Sequence, residues 1–414
     1  MTNRDAAVAS NRASFALVAG AGTLFLLALG HTISNLVRTM PAVSTDVIAD
    51  SLSVSAGEVA ALTGIYHLAF AAGQIPVGVA LDRYSVRAVF LVLIATIVVG
   101  ALITATAPNS AMFLVGQAVL GLGCSGMLLC PLTYAARHQN SANFALWSAF
   151  ILAVGNSGML LSASPMAWVI DAWSWRTGFL VPVAMAVVVA AIAWFRLGRD
   201  SAGTAQASSI RSEFAQVVHI GWSPKLRGVI ALAFVSFAVV IGIRGVWSGP
   251  WLMDVRGLSR IEAGNVMLAL TVMLIVMPML VGLIDRSTKR TNLLLVGGHI
   301  LAGLLLLLLP LGSAAGLPTL YDFSLLVLFG IAVSVQPLLF ALGRQSVDPA
   351  HTGKALAAVN LAFFAGAAVI QVLSAPVAWL TGIGGVVTFL GLLSTGGAVI
   401  FALRSRRCHS GRQK

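Results

Sequence analysis

The sequence predicts an all-α membrane protein, with twelve transmembrane helices in two pseudo-symmetric six-helix bundles. Three observations carry that expectation: composition, the placement of positive charge, and an internal repeat. Of the 414 residues, 58% are apolar, about 240 side chains, and only 9% are charged. A spanning helix needs about 20 apolar residues, so this content fits roughly a dozen spans. Soluble domains carry about 25% charged residues. A soluble enzyme and a disordered chain are therefore excluded. So is a secreted disulfide scaffold, because two of the three cysteines, Cys124 and Cys130, share one apolar segment and Cys408 sits in the tail.

Long apolar runs separated by short polar breaks place helices near residues 15–38, 58–80, 87–107, 112–135, 143–164 and 177–197. A second set falls near 228–252, 263–284, 292–312, 322–343, 352–378 and 383–403. The first run follows Arg4 and Arg12 as a signal peptide would. It is longer than a signal core and lacks a small-residue cleavage site, so it reads as a retained span. Pro-Asn-Ser at 108–110 and Gly-Leu-Pro at 316–318 mark tight turns. The organisation predicted is an N-terminal bundle over 1–197, a cytoplasmic linker over 198–227, a C-terminal bundle over 228–403 and a basic cytoplasmic tail over 404–414.

Positive charge orients these helices. With the N-terminus in the cytoplasm, 20 of the 25 basic residues fall on the cytoplasmic side. Arg38, Arg176, Arg256 and Arg260 fall outside, and Arg244 lies within a span. Both termini are then cytoplasmic and the number of spans is even. The net charge of +12 would suggest nucleic acid in a soluble protein. Here the basic tail meets anionic lipid headgroups instead, and no nucleic-acid partner is expected.

The repeat appears in two places. Gly78-Val79-Ala80-Leu81-Asp82-Arg83 follows the second span with Arg87 close behind, and Gly282-Leu283-Ile284-Asp285-Arg286 follows the eighth. The two Asp-Arg pairs are 203 residues apart. Val37-Arg38-Thr39-Met40-Pro41 in the first span is echoed by Val246-Trp247-Ser248-Gly249-Pro250 in the seventh, with the prolines 209 residues apart. Two similar six-helix halves imply a duplicated fold with a central cavity.

In these residues the chain resembles the major facilitator superfamily of secondary transporters, in its bacterial twelve-helix form. Gly78, Asp82, Arg83 and Arg87 match the family's loop motif between the second and third helices, and Asp285-Arg286 match its second copy. Ser85 and Val86 replace a glycine and a basic residue of that motif. Trp175-Arg176 followed by Phe179 looks like the entry to the family's sixth helix. The resemblance implies the family fold, a multi-pass protein of the bacterial inner membrane, and a monomer. It also implies that Asp82 faces the start of the eleventh helix when the transporter is open outward. A carboxylate there sits against a positive helix terminus and nearby arginines. The plainer reading is a surface ion pair contributing ~0–1 kcal/mol. Drug–proton antiporters of the family carry an Arg four residues before a Gly in the fourth helix and a Gly-Pro-rich fifth helix. This chain has Gln117 ahead of Gly121, and Gly155-Asn156-Ser157-Gly158. Those glycines, with Gly123 and Gly126, read as close helix-packing positions.

Ionisable residues inside spans are costly and are functional candidates. None of the 13 acids lies near the middle of a span, whereas His31, His67, Arg244 and His299 do lie in spans, and Arg38 is near the outer end of the first. His31, Asn35 and Arg38 share one helical face, as do His67, Phe70 and Gln74, and Arg244, Trp247 and Trp251. The resemblance puts these faces on the solute path. The candidate solute-binding residues are therefore Arg244, Arg38, His31, Asn35, His67, Trp247, Trp251, Gln336 and Asn360, with Gln117, Asn156 and Gln371 as further donors and acceptors. The candidate gating residues are Gly78, Asp82, Arg83, Arg87, Asp285 and Arg286. Plainer readings are snorkelling for Arg38, an interfacial belt for the two tryptophans, and core packing for the histidines.

The leading functional expectation is a secondary transporter of a small anionic solute, an organic carboxylate, moved by alternating access. Unpaired guanidinium groups would bind the anion, and tryptophan would pack its apolar part. Two alternatives remain: efflux of lipophilic compounds, and porting of an inorganic anion such as nitrate. If protons are coupled, His67 or His31 is the carrier, since an unperturbed imidazole titrates at about pH 6.5. The seven histidines are scattered, with no His-x-x-x-His, Cys-x-x-Cys or Walker-type loop, so no enzyme activity, metal, cofactor or ATP use is expected.

Overall fold

The computed structural model describes residues 3–139, 141–198, 210–348 and 351–410, and no strand occurs among them. The first half holds α1 (Asn3–Thr39), α2 (Ala56–Arg83), α3 (Val86–Ala105), α4 (Ser110–His138), α5 (Ser141–Leu161 continued by Ser164–Ala172) and α6 (Trp175–Arg196). The second half holds α7 (Arg227–Val255), α8 (Arg260–Thr288), α9 (Thr291–Ala314) and α10 (Thr319–Gln345). A helical stretch over Thr352–Ser410 follows, broken where Gly382 takes a φ of 69°. It is therefore two helices, α11 (352–381) and α12 (383–410). A side chain at Gly382 would be strained in this left-handed conformation, which glycine adopts freely.

Ten stretches among the described residues are long and apolar enough to cross a membrane. Dividing the last at Gly382 and adding α1 yields twelve. Their outward faces are apolar, with Phe195, Leu283, Leu320 and Trp379 exposed, as a lipid-facing surface requires. A short helix, Ile210–Gly221, stands in the segment read from sequence as a plain linker. Its Val217 is buried, while Phe214, Val218 and Trp222 are exposed at one helical spacing. Its polar composition hid a helical period too short to register against the long spans.

Local chemistry repeats between the halves. α2 starts with a capping box in which Ser55 accepts from the Glu58 amide and Glu58 accepts from the Ser55 amide. α8 starts with the same device at Ser259 and Glu262. Each box satisfies two otherwise unpaired amides and fixes where the helix begins. The prolines repeat as well. After α1 the chain tightens into a 3-10 turn over Met40–Val43 that contains Pro41. Around Pro250, α7 loosens into π-helical turns over Ile243–Trp247 and Trp251–Val255. Proline has no amide and its ring crowds the preceding turn, so the ladder must widen or break there. The Ser248 hydroxyl covers the displaced Ile243 carbonyl at 2.7 Å.

The two proline turns pack against each other. A Cβ on Gly249 would lie 1.5 Å from the Ala42 carbonyl oxygen, so only glycine allows this approach. The contact joins the halves at the end of the bundle opposite the Asp-Arg loops.

Candidate solute site between the two halves

In the first half, Asn35 is the organising residue. It is fully buried and donates to the Gly155 carbonyl at 2.9 Å and to Asn156 Oδ1 at 3.4 Å, both on α5. Its Nδ2 also meets His31 Nε2 at 3.4 Å, and its Oδ1 accepts from Arg38 Nη2. One face of α1 thus carries His31, Asn35 and Arg38 as a connected set, as their spacing predicts. α5 comes close enough because it presents glycines: a Cβ on Gly155 would fall 2.0 Å from the His31 ring.

The Arg38 guanidinium reaches across to the second half, with its carbon 5.6 Å from the centre of the Phe237 ring and 5.7 Å from that of Phe364. Both distances are within cation–π range. Phe364 stacks on Phe70 of α2 at 3.9 Å and lies 6.2 Å from the His67 ring. Arg38 Nε is buried without a hydrogen-bond partner.

Arg244, on the first π-turn of α7, is fully buried. It donates from Nε to Thr271 on α8 at 2.5 Å and from Nη2 to the Met159 carbonyl at 2.7 Å and Ser162 at 3.1 Å, both on α5. It therefore ties the two halves together. Its Nη1 has no partner. Among the described residues, neither Arg38 nor Arg244 takes part in an ion pair, whereas Arg256 and Arg260 do.

The other sequence-derived candidates are distributed unevenly. His67 and Gln371 approach each other at the seam between α2 and α11, with the Thr63 carbonyl also near the imidazole, and none of their four buried polar atoms makes a hydrogen bond of proper geometry. Gln117 Nε2 is likewise unpaired. Asn360 donates to Gln74 across the same seam at 2.9 Å. Trp247 is buried within the second half and donates to Ser374 at 3.1 Å. Trp251 donates to Asp322 at 2.8 Å. Both indoles are thus engaged in packing α7 against its own bundle. Gln336 donates to Ser236, which also meets His299 Nε2, so it too is held within that half.

Sequence reasoning had no route to Phe237, Phe364, Thr271 or Ser162. Phe237, Phe364 and Thr271 are ordinary helix residues and Ser162 lies in the turn inside α5, and only the docking of the halves makes an arginine bridge them.

At the Asp-Arg end, Asp82 and Arg83 are exposed, and Arg87 donates to the Trp194 carbonyl at 2.7 Å. Asp285 accepts from Thr291 at 2.7 Å, while Arg286 is exposed. Gly78 has open space where a Cβ would stand. The opposite end is tied shut. Arg260 grips Asp46 through two bonds of 2.7 Å, with further bonds of 2.6 Å to Asp171 and to the Val43 carbonyl. Ser164 donates to Asn265 at 2.6 Å beside it.

A sequence model of the Major Facilitator Superfamily matches residues 20–371. The chain belongs to that superfamily. Its members are transporters and not enzymes. This major facilitator is 24% identical over 241 residues to the methylenomycin A resistance protein of Bacillus subtilis, covering 56% of the chain and 48% of that relative. It is 32% identical over 161 residues to a multidrug resistance protein B homolog of Mycobacterium tuberculosis, covering 37% of the chain and 29% of the relative. The chain thus spans about half the length of the first relative and less than a third of the second. Among solved structures, its fold matches the nucleoside transporter NupG with a TM-score of 0.78 at 12% identity, covering 92% of this chain and 99% of that one. A POT family transporter in complex with 5-aminolevulinic acid matches with a TM-score of 0.76 at 13% identity, covering 93% and 96%. These two likenesses concern the fold alone.

Proposed function

We propose that this major facilitator is a secondary transporter that moves a small organic anion with an apolar body out across the bacterial inner membrane by alternating access. The observation that carries this reading is the pair of guanidinium groups at the interface of the halves. Arg38 and Arg244 each keep a buried, unpartnered nitrogen, and no carboxylate among the described residues pairs with either. An unpaired charge is costly at membrane depth, and an anion would both neutralise it and match the planar fork. The Phe70, Phe237 and Phe364 rings beside Arg38 supply an apolar wall. That wall favours an organic anion over an inorganic one.

The excess of basic residues on the Asp-Arg side supports cytoplasmic termini. The tied opposite end then faces outward, so the end this conformation holds shut is the outer one. The outward direction of transport is supported by the relatives named for resistance. A second reading, efflux of several lipophilic compounds, is favoured by the same aromatic wall and the same relatives.

Thermal stabilisation of the purified protein by matched carboxylates, their neutral esters and organic cations tests the assignment. The carboxylates are expected to stabilise most. Arg38→Ala is expected to weaken their binding by about 10- to 100-fold, the worth of a charge-assisted hydrogen bond. Arg244→Lys should weaken it severely, because lysine keeps the charge and loses the fork. Preferred stabilisation by a cation or a neutral compound, or unchanged anion affinity in Arg38→Ala and Arg244→Ala, would overturn it.

A further inference from the structure

His67 and Gln371 are separated by 304 residues in sequence and meet across the seam between α2 and α11. Gly64, one turn before His67, makes the approach: a Cβ there would meet the Ala368 carbonyl at 3.2 Å and Gln371 Cβ at 3.5 Å. His67 is 2% exposed and Gln371 2%. The His67 ring lies within reach of the Gln371 amide and the Thr63 carbonyl, yet none of the four polar side-chain atoms makes a hydrogen bond of proper geometry. Buried polar groups in proteins are nearly always paired, so a cluster of four unpaired atoms from two helices needs an explanation. Packing does not supply one, since apolar side chains of similar size would fill the seam without orphaned groups.

We propose that His67 and Gln371 form one uncharged hydrogen-bonding subsite for a second polar function of the solute, a hydroxyl or a carboxamide. A neutral imidazole offers one donor and one acceptor, and the glutamine amide offers a donor pair and an acceptor. A hydroxyl or carboxamide also both donates and accepts, and can engage both residues at once. The inference rests on the anion reading, because it places this subsite beside the Arg38 guanidinium. Arg38 and His67 both approach Phe364, at 5.7 Å and 6.2 Å from its ring centre. A solute with its carboxylate at Arg38, its apolar body on Phe364 and its second polar group at His67 and Gln371 would satisfy all three. The two residues belong to opposite halves, so such a solute would be read only when the halves close on it.

The test uses the purified full-length protein and three probes: phenylacetate and its para-hydroxyl and para-carboxamide derivatives. Binding is followed by calorimetry, and the readout is the affinity ratio of each derivative to phenylacetate. In the wild type the ratio is expected to be about tenfold for at least one derivative, the worth of a well-made hydrogen bond. Gln371→Leu and His67→Phe should each bring the ratio near one. His67→Gln, which keeps a donor and an acceptor, should retain a clear preference and guards against a variant that fails to fold. The methyl esters of the same probes separate this inference from the anion reading. If the esters bind and keep the preference while the acids do not bind, the anion reading fails and the subsite stands. A ratio near one in the wild type, or an unchanged ratio in both Gln371→Leu and His67→Phe, overturns the subsite, and so does failure of every acid and ester to bind.

Discussion

Asp322 is a fully buried carboxylate in the first turn of α10. It is kept by two partners, Trp251 Nε1 at 2.8 Å and Arg256 Nε at 2.9 Å. Sequence placed Asp322 at a helix end and Arg256 in an outer loop, and neither position signals a buried pair. The pairing explains why Trp251 points into its own bundle. Replacing Asp322 with Asn keeps an acceptor for Trp251 and leaves Arg256 without its counter-charge. The expected loss is about 3 kcal/mol of stability, as for other broken buried pairs. It would be read as a lowered melting temperature in detergent, and a melt equal to wild type would refute this role.

At the scale of elements, α1 and α5 form the tightest seam of the first half. A Cβ on Gly158 would stand 1.9 Å from the Thr32 carbonyl oxygen, a backbone atom that cannot swing aside. Gly155 and Gly158 thus let two helices approach to backbone contact, which brings Asn35 within reach of Gly155. The sequence reading of these glycines as packing positions agrees with that geometry. Gly158→Leu is expected to cost at least about 3 kcal/mol, because overpacking here must move a helix. Gly282→Ala, with open space around it, should stay within about 1 kcal/mol of wild type. Chemical-denaturant or thermal melts of both variants decide the point; equal effects would show that the seam is more compliant than its distances imply.

For the whole molecule, the question is what holds one end shut. Arg260 of the second half binds Asp46 and Asp171 of the first, and Arg244 adds bonds to Met159 and Ser162 deeper in. These ties cross the interface that alternating access must open. Arg260→Ala is expected to move the population toward the state open at that end. Asp82→Asn should act in the other sense, by weakening the contact proposed for that outward-open state, and should leave solute binding largely intact. Spin-label distances across each end provide the check: an unmoved distribution in Arg260→Ala would show that the ion pairs only decorate the closed state.

The sequence by itself determined the membrane class, the helices and their order, the duplicated halves and the family, because each rests on local composition, period or a repeated motif. It also singled out the arginines and histidines that interrupt the apolar runs, since a charge in such a run is visible without any fold. Only the tertiary structure decided which of those groups meet. Arg38 finds Phe364 and His67 finds Gln371 through contacts hundreds of residues apart in sequence, which no spacing rule records. Trp247 and Trp251 share a helical face with Arg244, yet π-turns around Pro250 shift the register of α7. Those turns aim the indoles into one bundle and the guanidinium between the two. A period of 3.6 residues holds only where the hydrogen-bond ladder is regular, and at Pro250 it is not.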